Sequence, residues 1–170
     1  MASIAARCLR TAARPSVVSA FTQSSVRIAR PFSVTANNEV RKYTRAHEWV
    51  ELSDDKKTGY VGITDYASHQ LGDVVFVELP EEGKEVQAGD VLGAVESVKS
   101  AADINAPITC KVIAANTSLE ETPSLINKAP EDHGASGGWV AKIQVGEEGV
   151  ADLEQLMEEA AYKEFTAEEH

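Results

Sequence analysis

The chain has 170 residues, of which 43% are hydrophobic, which suffices for one compact domain of modest core plus a tail. Residues 1–38 contain five arginines and no acidic residue, and the remainder holds 11 basic against 27 acidic residues. Because nucleic-acid phosphates require a basic face, this acidic remainder argues against nucleic acid as a partner. No apolar run approaches the roughly 18 residues of a membrane span, so we also expect no membrane partner.

The N-terminal segment has the composition of a mitochondrial presequence. It is rich in arginine, serine and threonine, it lacks acidic residues, and three of its arginines share one face at helical spacing. The run Arg30–Ser33 resembles a matrix-processing site, with an arginine three positions before the cut. We therefore expect residues 1–32 to be removed and residues 33–170 to work in the mitochondrial matrix. The alternative is a disordered basic tail.

From Tyr43 onward, short strand-like runs alternate with turns that are marked by glycine, proline and aspartate. Thr64 resembles the N-cap of a short helix that continues to Leu71 and ends at Gly72. Strands that recur at this spacing are typical of an all-β sandwich or barrel. The predicted strands are His47–Leu52, Thr58–Ile63, Val74–Leu79, Val91–Val95, Ala101–Ala106, Thr109–Ala115 and Trp139–Val145.

Three segments carry more specific expectations about packing. Val74–Leu79 is nearly all apolar around Phe76, which predicts a strand with both faces buried. Pro123–Asn127 is expected to form a helical turn. Near the C-terminus, apolar residues at helical spacing predict an amphipathic helix that lies on the sandwich by its apolar stripe. That stripe consists of Leu153, Leu156, Met157, Ala160 and Ala161.

A single lysine, Lys99, lies near the bend between two apolar runs, Val91–Val95 and Ala101–Ala106. Two such runs predict strands that fold back on each other, with the lysine at the hairpin tip. A lysine at a tip is held away from the core with its amine exposed, which suits a residue that carries a covalent group. The alternative is a solvated turn lysine.

The cysteines argue against a disulfide. Cys8 lies in the predicted presequence, so the mature chain keeps only Cys110, as suits a reducing compartment. Alternation places Cys110 on one strand face with Ile108 and Val112, opposite Lys111. We expect a buried, unreactive thiol, the alternative being a nucleophile.

His47 and Trp49 could line a cofactor pocket, but alternation places both on one face of a strand, where packing is the simpler role. His47 with His69 or His133 gives no recognisable metal-ligand spacing. The sequence therefore indicates no metal site and no catalytic triad.

Several sequence blocks, in the same order, resemble the mitochondrial glycine cleavage system H protein family over about residues 41–165. They include its lipoyl-attachment motif at Glu96–Ser100. The resemblance implies a mainly β fold, a lipoyl/biotinyl-type barrel-sandwich hybrid with short helices and a C-terminal amphipathic helix. The other blocks are Lys42–Val50, Gly62–Ala67, Leu71–Pro80, Asn116, Leu119, Pro123, Leu125–Asn127 and Gly138–Trp139.

The resemblance implies a carrier and not an enzyme. Its cofactor would be lipoate, amide-linked to Lys99. A pyridoxal-phosphate-dependent glycine decarboxylase (P protein) would load the arm with the aminomethyl group of glycine. An aminomethyltransferase (T protein) would unload it to tetrahydrofolate, and dihydrolipoamide dehydrogenase (L protein) would reoxidise the thiols. Lipoylating enzymes would be further partners.

Two carboxylates match family positions that are associated with the cleft for the loaded arm, Glu48 and Asp103. A carboxylate would hold the cationic amine of the loaded arm by a charge-assisted hydrogen bond. The alternatives are a solvated strand carboxylate and a hairpin charge. Ala46 replaces a family serine, which puts one hydroxyl contact in doubt. Glu96 is expected to be recognised by the lipoylating enzyme.

Three alternatives remain open on the sequence. A biotinyl domain also places a lysine at a hairpin tip, but usually between two methionines, whereas Val98 and Ser100 flank Lys99 here. A protein that relays lipoyl groups to other complexes would share the same motif. An enzyme that uses Cys110 or His47 would need a second catalytic group, for which no motif spacing is found.

Overall fold

The computed structural model describes residues 40–168, which contain nine strands and five short helices. The predicted presequence, residues 1–32, lies outside the described residues. The strands are β1 (Val40–Tyr43), β2 (Glu48–Leu52), β3 (Thr58–Ile63), β4 (Val74–Glu78), β5 (Glu85–Val86), β6 (Val91–Ser97), β7 (Ala101–Asn105), β8 (Cys110–Ala115) and β9 (Ala141–Val145). The helices are α1 (Asp65–Leu71), α2 (Ser118–Glu121), α3 (Leu125–Lys128), α4 (Glu147–Leu153) and α5 (Glu159–Glu168).

The strands form two antiparallel sheets, which confirms the predicted mainly β class. One sheet has six strands in the order β1-β2-β3-β9-β8-β5, and the other has three in the order β4-β6-β7. The central strand of the smaller sheet, β6, pairs with β7 through Glu96 and Ala101, next to the connecting turn. The hairpin predicted around Lys99 is therefore confirmed.

Apolar side chains pack in three clusters. One cluster contains Val50 and Ile143 from the larger sheet, and a second contains Val77 and Val95 from the smaller sheet. The third is aromatic and includes Trp49, which is fully buried as predicted. These clusters fix both sheets and leave the β6–β7 turn projecting from them.

The short helix α1 forms as its capping residues predict. The Oγ1 atom of Thr64 accepts a hydrogen bond from the N–H of Ala67 at 3.2 Å. At the other end, Gly72 adopts φ 75°, a left-handed conformation that is strained for residues with a Cβ. The helix therefore ends sharply, directly before β4.

The prediction that both faces of β4 are buried is wrong. Val74 and Val77 are buried, but Val75 is 54% exposed and Phe76 is 51% exposed. The pairing register between β4 and β6 shifts between Val74 and Phe76. Such a β-bulge interrupts the alternation of faces, so two successive side chains point away from the core.

The predicted C-terminal helix is also corrected in part. A C-terminal helix is present, but of the predicted stripe only Leu153 lies in α4 and only Ala160 and Ala161 lie in α5, while Leu156 and Met157 lie between the two helices. Between them, Met157 pairs with Tyr43 through two backbone hydrogen bonds of 2.9 Å, which stops the helix. Ala160 and Ala161 are exposed, and α5 instead buries Tyr162.

Other element boundaries differ less. The first predicted strand begins at Glu48 rather than at His47, whose φ of 71° interrupts extended structure. β1, β5 and α2 form in addition to the predicted elements, and the predicted turn at Pro123–Asn127 becomes α3. Within residues 40–168, no helix combines the length and the apolar character needed to cross a membrane.

Candidate cofactor-attachment site

Lys99 lies in a turn that is closed by the side chain of Ser97. The Oγ atom of Ser97 accepts hydrogen bonds from the N–H groups of Lys99 at 3.2 Å and Ser100 at 3.0 Å. The N–H of Ser97 also donates to the carbonyl of Ser100 at 2.7 Å. The two serines of the motif thus fix the backbone on either side of the lysine.

The side chain of Lys99 is exposed and lies against the end of α1. Its Nζ donates a hydrogen bond to the carbonyl oxygen of Gln70 at 3.3 Å. A Cβ atom added at Gly72 would lie 2.7 Å from the Cε of Lys99. Glycine at this position therefore serves both the left-handed cap and the close passage of the lysine stem.

A cleft of about 600 Å³ opens beside this turn. Its walls come from the segment before β2, from α1, and from the β6–β7 hairpin. Apolar groups and a few polar groups share the lining, as is common in sites that hold a small organic group. The lining residues are Ala46, His47, Glu48, Ile63, Tyr66, Ala67, Gln70, Leu71, Val95, Ser100, Ala102, Asp103 and Ile104.

Glu48 lies in the wall of this cleft and is only 2% exposed, so it is not a solvated strand carboxylate. Its Oε1 accepts hydrogen bonds from the backbone N–H of Asn105 at 3.0 Å and from its side-chain amide at 3.1 Å. Its Oε2 accepts a hydrogen bond from the hydroxyl of Thr44. Glu48 thereby ties β2 of one sheet to the end of β7 in the other.

A carboxylate offers about four acceptor positions, and three positions of Glu48 are used in this way. The unused position belongs to Oε2, because Oε1 carries both bonds from Asn105. One acceptor is thus left for a donor that enters the cleft.

Asp103 occupies a different environment at the rim of the same cleft. It is exposed and pairs with Ala94 of β6. It also lines a second, smaller depression of about 280 Å³ between the end of β4 and the start of β6. The two carboxylates singled out from the sequence therefore line one cleft, but only Glu48 is shielded from water.

His47 lies at the mouth of the cleft and is held by an aromatic cluster. Its ring lies 4.7 Å from the ring of Tyr66, and its Nδ1 is 2.8 Å from the hydroxyl of Tyr162. That hydroxyl is also 2.8 Å from Oγ1 of Thr64, the N-cap of α1. The packing role predicted for His47 is present, and the residue lines the cleft as well.

Sequence reasoning missed Thr44, Asn105 and Tyr162, which hold the cleft residues in place. Thr44 is four residues from Glu48, and its hydroxyl accepts the N–H of Glu48 at 3.0 Å. That local spacing could have indicated the contact. No local signal marks Asn105 or Tyr162, because both reach the cleft from distant segments.

Cys110 lies outside the cleft, in the core cluster of the larger sheet. It is 6% exposed, and burial raises the pKa of its thiol to about 11. The predicted burial of Cys110 is confirmed, and since the thiolate is the nucleophilic form, we expect this thiol to react slowly near neutral pH. No group of three potential metal ligands occurs among residues 40–168.

Comparisons with known proteins agree with this geometry. A family model described as "Glycine cleavage H-protein" matches residues 41–169. The "Glycine cleavage system H protein" of Thermotoga maritima is 48% identical over 131 residues, which are 77% of this chain and 99% of that protein. The "Glycine cleavage system H protein 2, mitochondrial" of Arabidopsis thaliana is 44% identical over 75% of this chain and 77% of that protein.

A solved structure shows a similar fold. The crystal structure of a glycine cleavage system H protein from Mycobacterium marinum matches with a TM-score of 0.62 and 35% sequence identity. The match covers 75% of this chain and 96% of that chain. The fold class implied by the sequence blocks is thus confirmed.

Proposed function

The chain belongs to the glycine cleavage H-protein family, and we propose that it carries its lipoyl group as an amide on Nζ of Lys99. As a member of this family, it is a lipoyl carrier of the glycine cleavage system and not itself a catalyst. The single observation that carries the proposal is the exposed amine of Lys99, on a hydrogen-bonded turn beside a cleft of about 600 Å³.

The residues at the site fit such a group. The amine is accessible to an acylating enzyme, and acylation would remove its charge and replace its contact with the carbonyl of Gln70. When attached, lipoate supplies a strained disulfide that opens and is reoxidised. Because the turn is fixed, the arm would start from one defined point, which raises its effective concentration at a docked partner.

We further propose that the cleft shelters the loaded arm. The open acceptor position on Oε2 of Glu48 would receive its ammonium group, and Asp103 at the rim would add a second, weaker attraction. Ala46 offers no hydroxyl to the arm at the position where the family can have a serine. The binding of the loaded arm would therefore rest mainly on Glu48.

The partners that we propose are the glycine decarboxylase, the aminomethyltransferase, dihydrolipoamide dehydrogenase and lipoylating enzymes. Membership of the glycine cleavage family supports these partners as a set. The acidic balance of the chain beyond residue 38 favours docking to basic surfaces.

We also propose that the protein works in the mitochondrial matrix after loss of residues 1–32. The support is the acid-free, arginine-rich composition of residues 1–38, which lie outside the family match. The bacterial relative from Thermotoga maritima is matched over 99% of its length, whereas the mitochondrial relative from Arabidopsis thaliana is matched over 77%. N-terminal sequencing of protein purified from mitochondria should start near Ser33, and a start at Ala2 would contradict the proposal.

The attachment site is tested by intact-mass spectrometry of the purified protein. We expect one lipoyl adduct on the wild-type chain and none on Lys99→Arg, because a guanidinium does not form this amide under the same conditions. The exposed turn residue Lys56 provides the control, since Lys56→Arg should keep the adduct. An adduct that persists on Lys99→Arg would place the attachment elsewhere, and a biotinyl mass would identify a different carrier.

A further inference from the structure

Three exposed apolar side chains, Val75, Phe76 and Val98, lie around the turn that bears Lys99, and we call them the tip patch. Their exposed fractions are 54%, 51% and 74%. The N–H of Val98 donates to the carbonyl of Asp73 at 3.1 Å, which brings the turn against the start of β4. Val75 and Phe76 follow within three residues, and Val74 and Phe76 pair with Ser97 and Glu96, so the three exposed residues lie near the same end of the smaller sheet.

The β-bulge in β4 creates this patch. In a regular strand, alternation would direct either Val75 or Phe76 toward the core, but the register shift leaves both exposed. Exposing two successive large apolar side chains forgoes the stabilisation that their burial would give. Neither Val75 nor Phe76 lines the cleft beside Lys99, so that site does not account for their exposure. Exposed apolar patches of this kind mark contact surfaces in soluble proteins.

Charged residues beside the patch define the chemistry of what covers it. The charged neighbours along β4 and the hairpin, apart from Lys99 itself, are all acidic and all exposed: Asp73, Glu78, Glu96 and Asp103. Phe76 pairs directly with Glu96 across the sheet. A complementary surface would therefore present an apolar hollow with lysine or arginine at its edge.

The position of the patch selects among the partners of a lipoyl carrier. An enzyme that acts on the dithiolane meets the free end of the arm, away from the lysine. An enzyme that forms the amide must instead bring its acyl donor to Nζ of Lys99, which is next in the chain to Val98. We propose that the tip patch docks the enzyme that acylates Lys99, through an apolar hollow with a basic edge.

This proposal rests on lipoyl attachment at Lys99. In the step that it serves, the deprotonated amine attacks the acyl carbon of an activated donor, here an acyl adenylate. A C–N bond forms, the C–O bond to the adenylate breaks, and AMP leaves. Two protons pass to solvent, counted from the ammonium form of the lysine.

The test is the rate of acylation of the full chain by a purified lipoate–protein ligase with ATP and lipoate. We expect Val75→Ser/Phe76→Ser to raise the KM for the carrier at least tenfold with little change in kcat. The matched control is Val91→Ser, since Val91 is 50% exposed on the same sheet but about 20 Å along β6 from the turn. This control should stay within twofold of wild type.

A second variant separates docking from folding. Val98→Ser changes a side chain that is 74% exposed, so it leaves the cores intact and should raise KM in the same direction. The KM of the wild-type chain should also rise with ionic strength, as expected for a basic partner.

The outcomes distinguish the two proposals. No adduct on the wild-type chain would overturn attachment at Lys99. Normal acylation of both tip-patch variants would overturn the docking proposal alone. Normal acylation with a raised KM for the glycine decarboxylase would assign the patch to that enzyme and would equally overturn the proposal.

Discussion

Replacing Glu48 should separate its two roles, in folding and in holding the loaded arm. Glu48→Ala removes the acceptor of three hydrogen bonds, two from Asn105 and one from Thr44. A buried donor left unpaired costs about 1–3 kcal/mol. Because Thr44 and Asn105 are only partly shielded from water, each of the three donors should cost an amount near the low end of this range. We therefore expect Glu48→Ala to lower the free energy of unfolding by about 3–5 kcal/mol.

Glu48→Gln keeps an oxygen for both bonds from Asn105 and changes only the group that faces Thr44. The hydroxyl of Thr44 can rotate to accept from the new amide, so we expect a loss of only about 1 kcal/mol. Urea unfolding of both variants measures the difference. Equal losses for Ala and Gln would show that the hydrogen bonds of Glu48 do not stabilise the fold as argued.

The glutamine variant then tests the arm without unfolding the protein. A shielded carboxylate–ammonium hydrogen bond contributes about 1–3 kcal/mol, so spontaneous release of ammonia and formaldehyde should be about 5 to 150 times faster in Glu48→Gln. Asp103 is exposed, so Asp103→Asn should change the rate by about fivefold at most. Release is measured from loaded carrier in the absence of the transferase. Equal rates for wild type and Glu48→Gln would refute the shelter.

Three further predictions concern the turn, the core and the C-terminal helix. Gly72→Ala and Gly83→Ala should each lower the free energy of unfolding in urea by about 1 kcal/mol, because both glycines have positive φ. Only Gly72→Ala should slow acylation of Lys99, because only its added Cβ would contact the lysine side chain. The thiol of Cys110, whose pKa burial raises from 9.0 to about 11, should resist alkylation at pH 8 until the protein unfolds. Because the thiol loses its proton more readily in the unfolded chain, the free energy of unfolding should be highest below pH 9 and should fall as pH rises toward 11. Urea unfolding at each pH measures this change. Tyr162→Phe keeps the ring but removes the hydroxyl that lies 2.8 Å from both Nδ1 of His47 and Oγ1 of Thr64. The free energy of unfolding should therefore fall by about 1–2 kcal/mol.

Local patterns predicted the parts of the fold that depend on neighbours in the chain. The bounds of β3 follow from the turn residues before Thr58 and the cap at Thr64, those of α1 follow from the capping residues Thr64 and Gly72, and the structure has them as predicted. The hairpin around Lys99 follows in the same way. In each case the deciding interaction lies within a few residues, so the sequence contains it directly.

The errors arise where a distant segment decides. The bulge in β4 depends on its register with β6, which alternation along β4 alone does not reveal. The break before α5 depends on Met157 pairing with Tyr43, at the opposite end of the described chain. In both places the apolar pattern was read correctly, but a backbone partner changed which face is buried.

The candidate site shows the same division. Lys99 was found from its motif, and Glu48 and Asp103 from a resemblance that carried no information about their burial. The structure distinguishes the two carboxylates. Glu48 is buried and accepts two hydrogen bonds from Asn105 of the other sheet, whereas Asp103 is exposed to solvent. A sequence pattern cannot rank the two carboxylates, since the ranking depends on long-range hydrogen bonds.

The placement of the acidic residues shows which of them can attract a partner, which net charge alone does not. On β2, Glu51 is 6% exposed and pairs with Arg41, just as Glu48 is buried with its own partners. These two carboxylates act within the fold and are not available to steer a partner. In contrast, Asp73 and Glu96 are exposed beside Lys99, where a docking enzyme must approach. Because Glu48 and Glu51 are buried, the salt dependence of recognition at Lys99 should come from exposed acids, of which Asp73 and Glu96 lie beside the turn.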